Sequence, residues 1–250
     1  MAKISEIIEK IEKFAPLSLA AEWDNSGWQV FFGNNREVKK ILLALSPSID
    51  VVRQAIKEKY DLIVTHHPLI FGKINNIDST EASTLPLIEA IQHNIPVYAA
   101  HTNLDSAKGG VADVHAKLLG LKNVKPFENF VRIGELDSEQ DLDAYLKTLK
   151  KTLKVKHLTI VNPSGKTKIK TIALCPGSGG DFISKLNNHI DLYITADIRY
   201  HKALDVQNMA VVDAGHFETE RQILPVLKKL LKDMGVEIVV AKEKSPFEIF

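Results

Sequence analysis

Cysteine is almost absent. The single thiol, Cys175, can close no internal disulfide and build no thiolate zinc cluster, which fits a reducing compartment and makes the cytoplasm the expected location. Long apolar runs are missing as well. The densest, Ile41 to Leu45, is strand-sized and far short of the roughly 18 residues a bilayer-spanning helix needs, so no membrane association is expected. Neither sign of charge is in excess: 32 basic and 31 acidic side chains leave +1 over 250 residues, which disfavours general attraction to nucleic acid. At 45% hydrophobic and 25% charged, the composition describes one or two globular domains.

The N-terminus lacks the uncharged core of an export signal, because Lys3, Glu6, Glu9, Lys10, Glu12 and Lys13 are spread through it. Ile4, Ile7, Ile8 and Ile11 recur on one helical face and predict an amphipathic surface helix. One local charge bias stands out, eight lysines and no acidic residue between Lys147 and Lys170. A solvated helix face followed by an exposed strand accounts for it, since no aromatic residues are interleaved; attraction to phosphate is the alternative.

Short β-rich runs alternate with helical periodicity along nearly the whole chain, the pattern of an α/β fold. Strands are expected at Lys40 to Ser46, Asp61 to Thr65 and Pro96 to Ala100, with helices at Ile49 to Lys59 and Thr84 to Gln92 between them. A helix near Val111 to Leu118 closes at Gly120. After Pro126 a strand is expected at Val131 to Glu135, then a helix from Ser138 to Leu153 opened by a Ser138/Asp141 capping box. Further strands fall at His157 to Val161, Lys170 to Leu174, Asp191 to Thr195 and Ala210 to Ala214, with a helix from Gly177 to Gly180 onward and another at Tyr200 to Gln207. One long helix, Glu218 to Met234, and a strand, Val236 to Ala241, complete the pattern.

The halves can be laid over each other. KILLALSP from Lys40 matches KTIALCP from Lys170, DLIVTHH from Asp61 meets DLYITAD from Asp191, and AAH ending at His101 meets AGH ending at His216. Four residues beyond those histidines stand Asp105 and Glu220. Three matches in the same order point to internal duplication. The expected architecture is therefore two similar α/β lobes, residues 1–125 and 126–250, with the C-terminal segment placed to pack on the first and a metal site between them.

That metal site follows from where the polar residues fall. In α/β sheets, ligands gather at strand ends, where loops vary over a rigid scaffold. His66 and His67 follow the LIVT strand, His101 follows PVYAA, Asp105 lies in the next loop, and His216 follows VVDAG with Glu220 one helical turn on. Pro68 disfavours helix and predicts a turn that can bring both rings of the His pair to one centre. Four imidazoles and two carboxylates suit borderline transition metals. They are too nitrogen-rich for calcium or magnesium and exceed one tetrahedral site, so two divalent ions about 3.5–4 Å apart are expected, with zinc, iron, manganese and nickel all admissible. His93, His115, His157 and His189 have no partner at ligand spacing and read as structural or surface residues.

These residues resemble the Nif-three-like dinuclear metal centre family, whose members are often labelled GTP cyclohydrolase type 2 homologues. The resemblance covers essentially the whole chain and is carried by AEWDNSGWQV (Ala21 to Val30), THHPLIF (Thr65 to Phe71), HTNLDSAKGG (His101 to Gly110), ITADIRYH (Ile194 to His201) and DAGHFETE (Asp213 to Glu220). It implies a metal pair held by His66, His67, His101, Asp105, His216 and Glu220, with Glu220 as the bridge. It further implies two α/β lobes in a ring-shaped homohexamer, and hydrolytic chemistry on a small molecule such as a nucleotide. Longer members insert a domain between the halves, for which this chain has no room. Ala196 stands where the family pattern leads one to expect glycine.

Asp197 and His201 follow the second-half strand where the His pair stands in the first, and are catalytic candidates as orienting groups or as proton donor and acceptor; a helix cap and a surface histidine are their structural alternative. PGSGG, Pro176 to Gly180, offers backbone N–H groups to a phosphate or forms a simple tight turn. Asp24 and Asn25 belong either to the same cavity or to an ordinary DNSG turn. No nucleophile elbow is present and Cys175 has no base near it in sequence, so side-chain nucleophilic catalysis is not expected. The leading expectation is a dinuclear-metal hydrolase acting on a nucleotide or a cyclic amide or amidine. A non-catalytic metal-binding, metal-delivery or regulatory protein is the alternative, and a nucleic-acid-associated ring using the lysine stretch is the third.

Overall fold

The computed structural model describes residues 1–128 and 130–248. The fold is α/β, and its contacts group the chain into two units: Met1–Lys108 with Ile223–Lys244, and Gly109–Gln222 with the end of the chain from Ser245. This grouping differs from a break at 125/126 for identifiable reasons. The helix Val111–Leu118 packs on the strands Val131–Asp141 and Lys168–Ser178 and so belongs with the second unit. The strand Glu237–Val240 pairs parallel to Lys40–Ala44 and returns the C-terminal segment to the first.

In the first unit a five-stranded sheet runs in the order Glu237–Val240, Lys40–Ala44, Leu62–Thr65, Val97–Ala99, Gly27–Val30, parallel except for the last pair. Ile41, Leu42, Leu43 and Ala44 are all fully buried, as befits a parallel strand covered on both faces. Val51, Val52 and Ala55 of the helix Ile49–Lys57 and Leu87 and Ala90 of the helix Leu85–Gln92 share a core with Leu42, Ala44, Ile63 and Val97. Ser48 caps the first of these helices by accepting from the Val51 N–H. The N-terminal helix Ile4–Phe14 buries the four isoleucines expected of it and packs against the helix Leu224–Leu231.

The second unit carries a six-stranded sheet in the order Lys122–Glu128, Val131–Asp141, Lys168–Ser178, Leu192–Ala196, Ala210–Asp213, Thr159–Val161. Its three central strands have parallel neighbours in chain order, like Lys40–Ala44, Leu62–Thr65 and Val97–Ala99 in the first unit. A local detail recurs too. Asp61 Oδ2 accepts from the N–H groups of Lys39 and Lys40, and Asp191 Oδ2 accepts from those of Lys170 and Thr171, so each unit pins the start of its first parallel strand with the aspartate that opens the next.

Several elements depart from expectation. Ser138 lies inside the strand Val131–Asp141, and the helix begins only at Leu142, capped by Asp141 accepting from the Ala144 N–H. Antiparallel pairing continues out to Asp141 opposite Lys168, so ladder hydrogen bonds outweigh the Ser138 capping signal. The long helix expected at 218–234 is broken: His216–Glu220 is followed by a 3-10 turn, Arg221–Ile223, and a new helix, Leu224–Leu231, with Pro225 in its first turn. Proline has no N–H to give and restarts a helix more readily than it continues one. Four strands fall outside the expected set: Ala2–Lys3 and Glu37–Val38, two residues each, Gly27–Val30, and Lys122–Glu128, the last because Pro126 and three charged residues hide its pattern.

Candidate metal centre

Three imidazoles converge in the first unit. The strand Leu62–Thr65 delivers His66 and His67, whose N–H groups continue the ladder to the Ala44 and Leu45 carbonyls, and Thr65 Oγ1 donates to the His67 carbonyl at 2.7 Å to fix the turn that follows. His101 leaves the strand Val97–Ala99 at the mouth of the short helix Thr102–Ser106. Ring centroids of His66, His67 and His101 lie 5.0, 5.2 and 5.5 Å apart, and one nitrogen of each falls within 4.8 Å of the others. Asp105 sits one turn past His101, its Oδ1 3.6 Å from His66 Nε2. A cavity of about 420 Å³ lined by Ser46, Pro47, Leu69 and Pro86 reaches His67.

Each ring is oriented from behind. His66 Nδ1 meets the Ala100 carbonyl at 2.9 Å, His67 Nδ1 meets Ser46 Oγ at 2.8 Å, and His101 Nδ1 meets Asp24 Oδ1 at 2.8 Å. Asp24 is the residue that the sequence does not single out from its turn. Its side chain is fully buried, and its Oδ2 also accepts from Ser26 Oγ and from the Thr102 N–H and hydroxyl. Burial alone would raise its pKa, but the hydrogen bonds from His101, Ser26 and Thr102 outweigh it and hold the carboxyl well below the usual carboxylate range. A DNSG turn before a strand gives no hint of a bond 77 residues along the chain.

The second unit contributes a smaller set. His216 opens the helix His216–Glu220, and the i, i+4 spacing brings Glu220 Oε2 to 2.9 Å from its Nε2. Asp197, held at φ 53°, takes His216 Nδ1 at 2.6 Å. Burial lowers the imidazole pKa, yet its bonds to the Asp197 and Glu220 carboxylates prevail and raise it to about 10. Asp213 supports the same corner by accepting from the Ile198 and Gly215 N–H groups, a role unmarked in the sequence. Ala196 is buried at the end of its strand, so the left-handed conformation falls on Asp197 instead.

The Gly177–Gly180 turn serves packing. Its Gly177 and Gly179 N–H groups are taken by Thr219 Oγ1 and Thr195 Oγ1, at 3.0 and 2.9 Å, and so are not offered to a phosphate. Gly177 has φ 69°, and a side-chain carbon there would collide with Glu220 Oε1. His201 lies exposed on the helix Tyr200–Leu204, its ring against that of Tyr200, while His115 is buried with Nδ1 on the Thr219 carbonyl. Lys166 and Lys168 pair with Asp191 and Asp141, which tempers the basic stretch.

The residues fit a bound metal. With Nδ1 of His66, His67, His101 and His216 occupied by a carbonyl, a hydroxyl and two carboxylates, Nε2 is the nitrogen each ring presents, the arrangement that outer partners impose on metal-binding imidazoles. Donors of this mixed nitrogen and oxygen kind match zinc and its transition-metal neighbours.

Fold and site together define an α/β protein whose parallel strands end in histidines and carboxylates that could hold a metal ion. Residues 2–246 match the model of the Duf34/NIF3 (NGG1p interacting factor 3) family, and the chain belongs to that family. It is 35% identical to a GTP cyclohydrolase 1 type 2 homolog of Clostridium perfringens, over 98% of this chain and 99% of the relative. Among solved structures, reduced HcgD from Methanocaldococcus jannaschii superposes with a TM-score of 0.86 at 32% identity, over 96% of this chain and 98% of that one. A Bacillus cereus protein related to NIF3 gives 0.88 at 23% identity, covering 99% of both chains.

Proposed function

We propose that the protein is a metal-dependent hydrolase that uses two divalent ions and whose metal ligands are His66, His67, His101 and Asp105 in the first unit and His216 and Glu220 in the second. The observation that carries the reading is the set of Nδ1 partners, which commits four imidazoles to the same donor atom. Bound there, the ions would acidify water and polarise the bond under attack, and zinc, iron, manganese or nickel meets that need. The chain's own groups do the rest. Asp24, Ser46 and Asp197 hold His101, His67 and His216 in place, and Asp197 and His201 are the candidates for handling the proton. The names of relatives point to a small-molecule substrate, a nucleotide or a cyclic amide or amidine. A ring-shaped homohexamer and a cytoplasmic setting belong to the same reading; among the described residues no helix is long and apolar enough to cross a membrane.

Elemental analysis of protein purified without added metal, followed by a hydrolysis screen beginning with GTP, tests this beside a Glu220→Gln variant. About two divalent ions per chain and turnover lost in the variant are expected. Metal that exchanges freely with no turnover across the screen would transfer the site to metal storage or delivery, and protein that takes up no divalent ion at neutral pH would overturn both.

A further inference from the structure

Trp23 and Phe71 are among the most exposed large apolar side chains of the first unit, at 63% and 66%, and both stand beside His101. Their ring centroids are 6.1 Å apart and lie 6.3 and 6.2 Å from that imidazole, at interplanar angles of 73°, 76° and 81°. Three rings at steep angles make an open corner next to a metal-ligating residue.

The loops beneath the corner are built firmly. Gln29, almost fully buried, accepts from the Ile70 N–H at 2.9 Å and donates to the Asn25 carbonyl at 2.6 Å, while Asn25 Nδ2 donates to the Ile70 carbonyl at 2.9 Å. Those bonds clamp the Trp23 turn to the segment that carries Phe71. On the other side of Trp23, Asp24 is tied to His101 and Thr102. Exposed aromatic rings on a rigid, hydrogen-bonded base are arranged to receive a partner without loss of their own freedom.

We propose that Trp23 and Phe71 form a stacking corner for a planar nitrogen heterocycle, the ring whose amide or amidine bond is hydrolysed, a proposal that rests on the metal-hydrolase reading above. The indole face takes a flat heteroaromatic ring in offset stacking, and Phe71 and His101 meet it at their edges. A sugar or phosphate has no aromatic face to offer, so the corner selects the base portion of a ligand rather than its polar tail. Stacking of one base on one aromatic side chain is worth about 1–3 kcal/mol, roughly 5- to 150-fold in affinity.

The test is equilibrium dialysis of the metal-loaded full chain with guanosine as the aromatic probe and ribose 5-phosphate as the non-aromatic one. Trp23→Ala is expected to weaken guanosine binding by roughly 5-fold or more, Trp23→Tyr to recover most of it, and neither to change ribose 5-phosphate binding or metal content. Phe71→Leu, remote in sequence from Asp24, repeats the measurement should Trp23→Ala disturb the metal ligands. Wild-type protein that ignores guanosine, or variants whose guanosine affinity is unchanged, would overturn the proposal. An altered oligomeric mass with guanosine affinity intact would give the corner to contacts between copies and overturn it equally. Loss of metal or of turnover in the Glu220→Gln comparison concerns the hydrolase reading alone, so the two can fail separately.

Discussion

A single buried carboxylate, Asp24, decides which way His101 faces, and its consequences are measurable. Asp24→Ala removes the partner of Nδ1 and leaves the ring free to turn, so metal affinity is expected to fall by about 10- to 100-fold, measured by chelator competition, with the fold retained in circular dichroism. His115 makes a different prediction because it is buried and neutral. Burial pushes its pKa down to about 4 against the ordinary 6.5, the bond to the Thr219 carbonyl offsetting only part of the effect. Above pH 6.5 neither state binds the proton and the contribution to stability is whole; below it the unfolded chain protonates first and stability drains away towards pH 4. The loss is of order 3 kcal/mol. Urea denaturation at pH 7 and pH 4.5 should show it, and His115→Gln should flatten the difference.

Among elements, those whose signal is periodic were legible and those held by distant partners were not. Ile4, Ile7, Ile8 and Ile11 marked the first helix because burial of one face at helical spacing needs nothing outside the helix to be recognised. The strands Lys40–Ala44, Leu62–Thr65 and Val97–Ala99 in the first unit, and their counterparts in the second, were found for a similar reason, continuous apolar runs that both faces of the sheet must cover. Ser138 misled, since its capping signal is local while the pairing that extends the strand to Asp141 comes from Lys168. The cap can be located experimentally: Asp141→Ala is expected to cost about 1 kcal/mol and Ser138→Ala no more than about 0.5 kcal/mol, compared by thermal or chemical denaturation. The break at Arg221–Ile223 belongs to the same lesson. Pro225 was visible in the sequence, but a helical hydrophobic pattern on both sides of it concealed the restart.

At the scale of the whole molecule, each unit exposes apolar side chains that a soluble monomer would tend to cover, Leu17, Leu19, Phe31 and Phe32 in the first, Tyr200 and Leu204 in the second. The hexameric ring proposed above gives such groups somewhere to go. Light scattering of the metal-loaded protein is expected to return about six times the 27.8 kDa of one chain, and a monomeric mass at micromolar concentration would remove the ring from the proposal. The eight lysines between Lys147 and Lys170 carry less weight at this scale than in the sequence, since two are neutralised in ion pairs.

By itself the amino-acid sequence determined the α/β class, the positions of the central strands of each unit and the histidines and carboxylates that follow them, because apolar periodicity and the placement of histidines after strands are properties of neighbouring positions. Tertiary structure alone decided which nitrogen each imidazole presents, that Asp24 rather than the turn around it matters, that the glycines at 177 and 179 make room and donate to threonine hydroxyls instead of cradling phosphate, and that the C-terminal strand pairs with Lys40–Ala44. Those features depend on hydrogen bonds and steric approach between residues tens to hundreds of positions apart, and no local pattern encodes a contact whose two halves are selected independently along the chain.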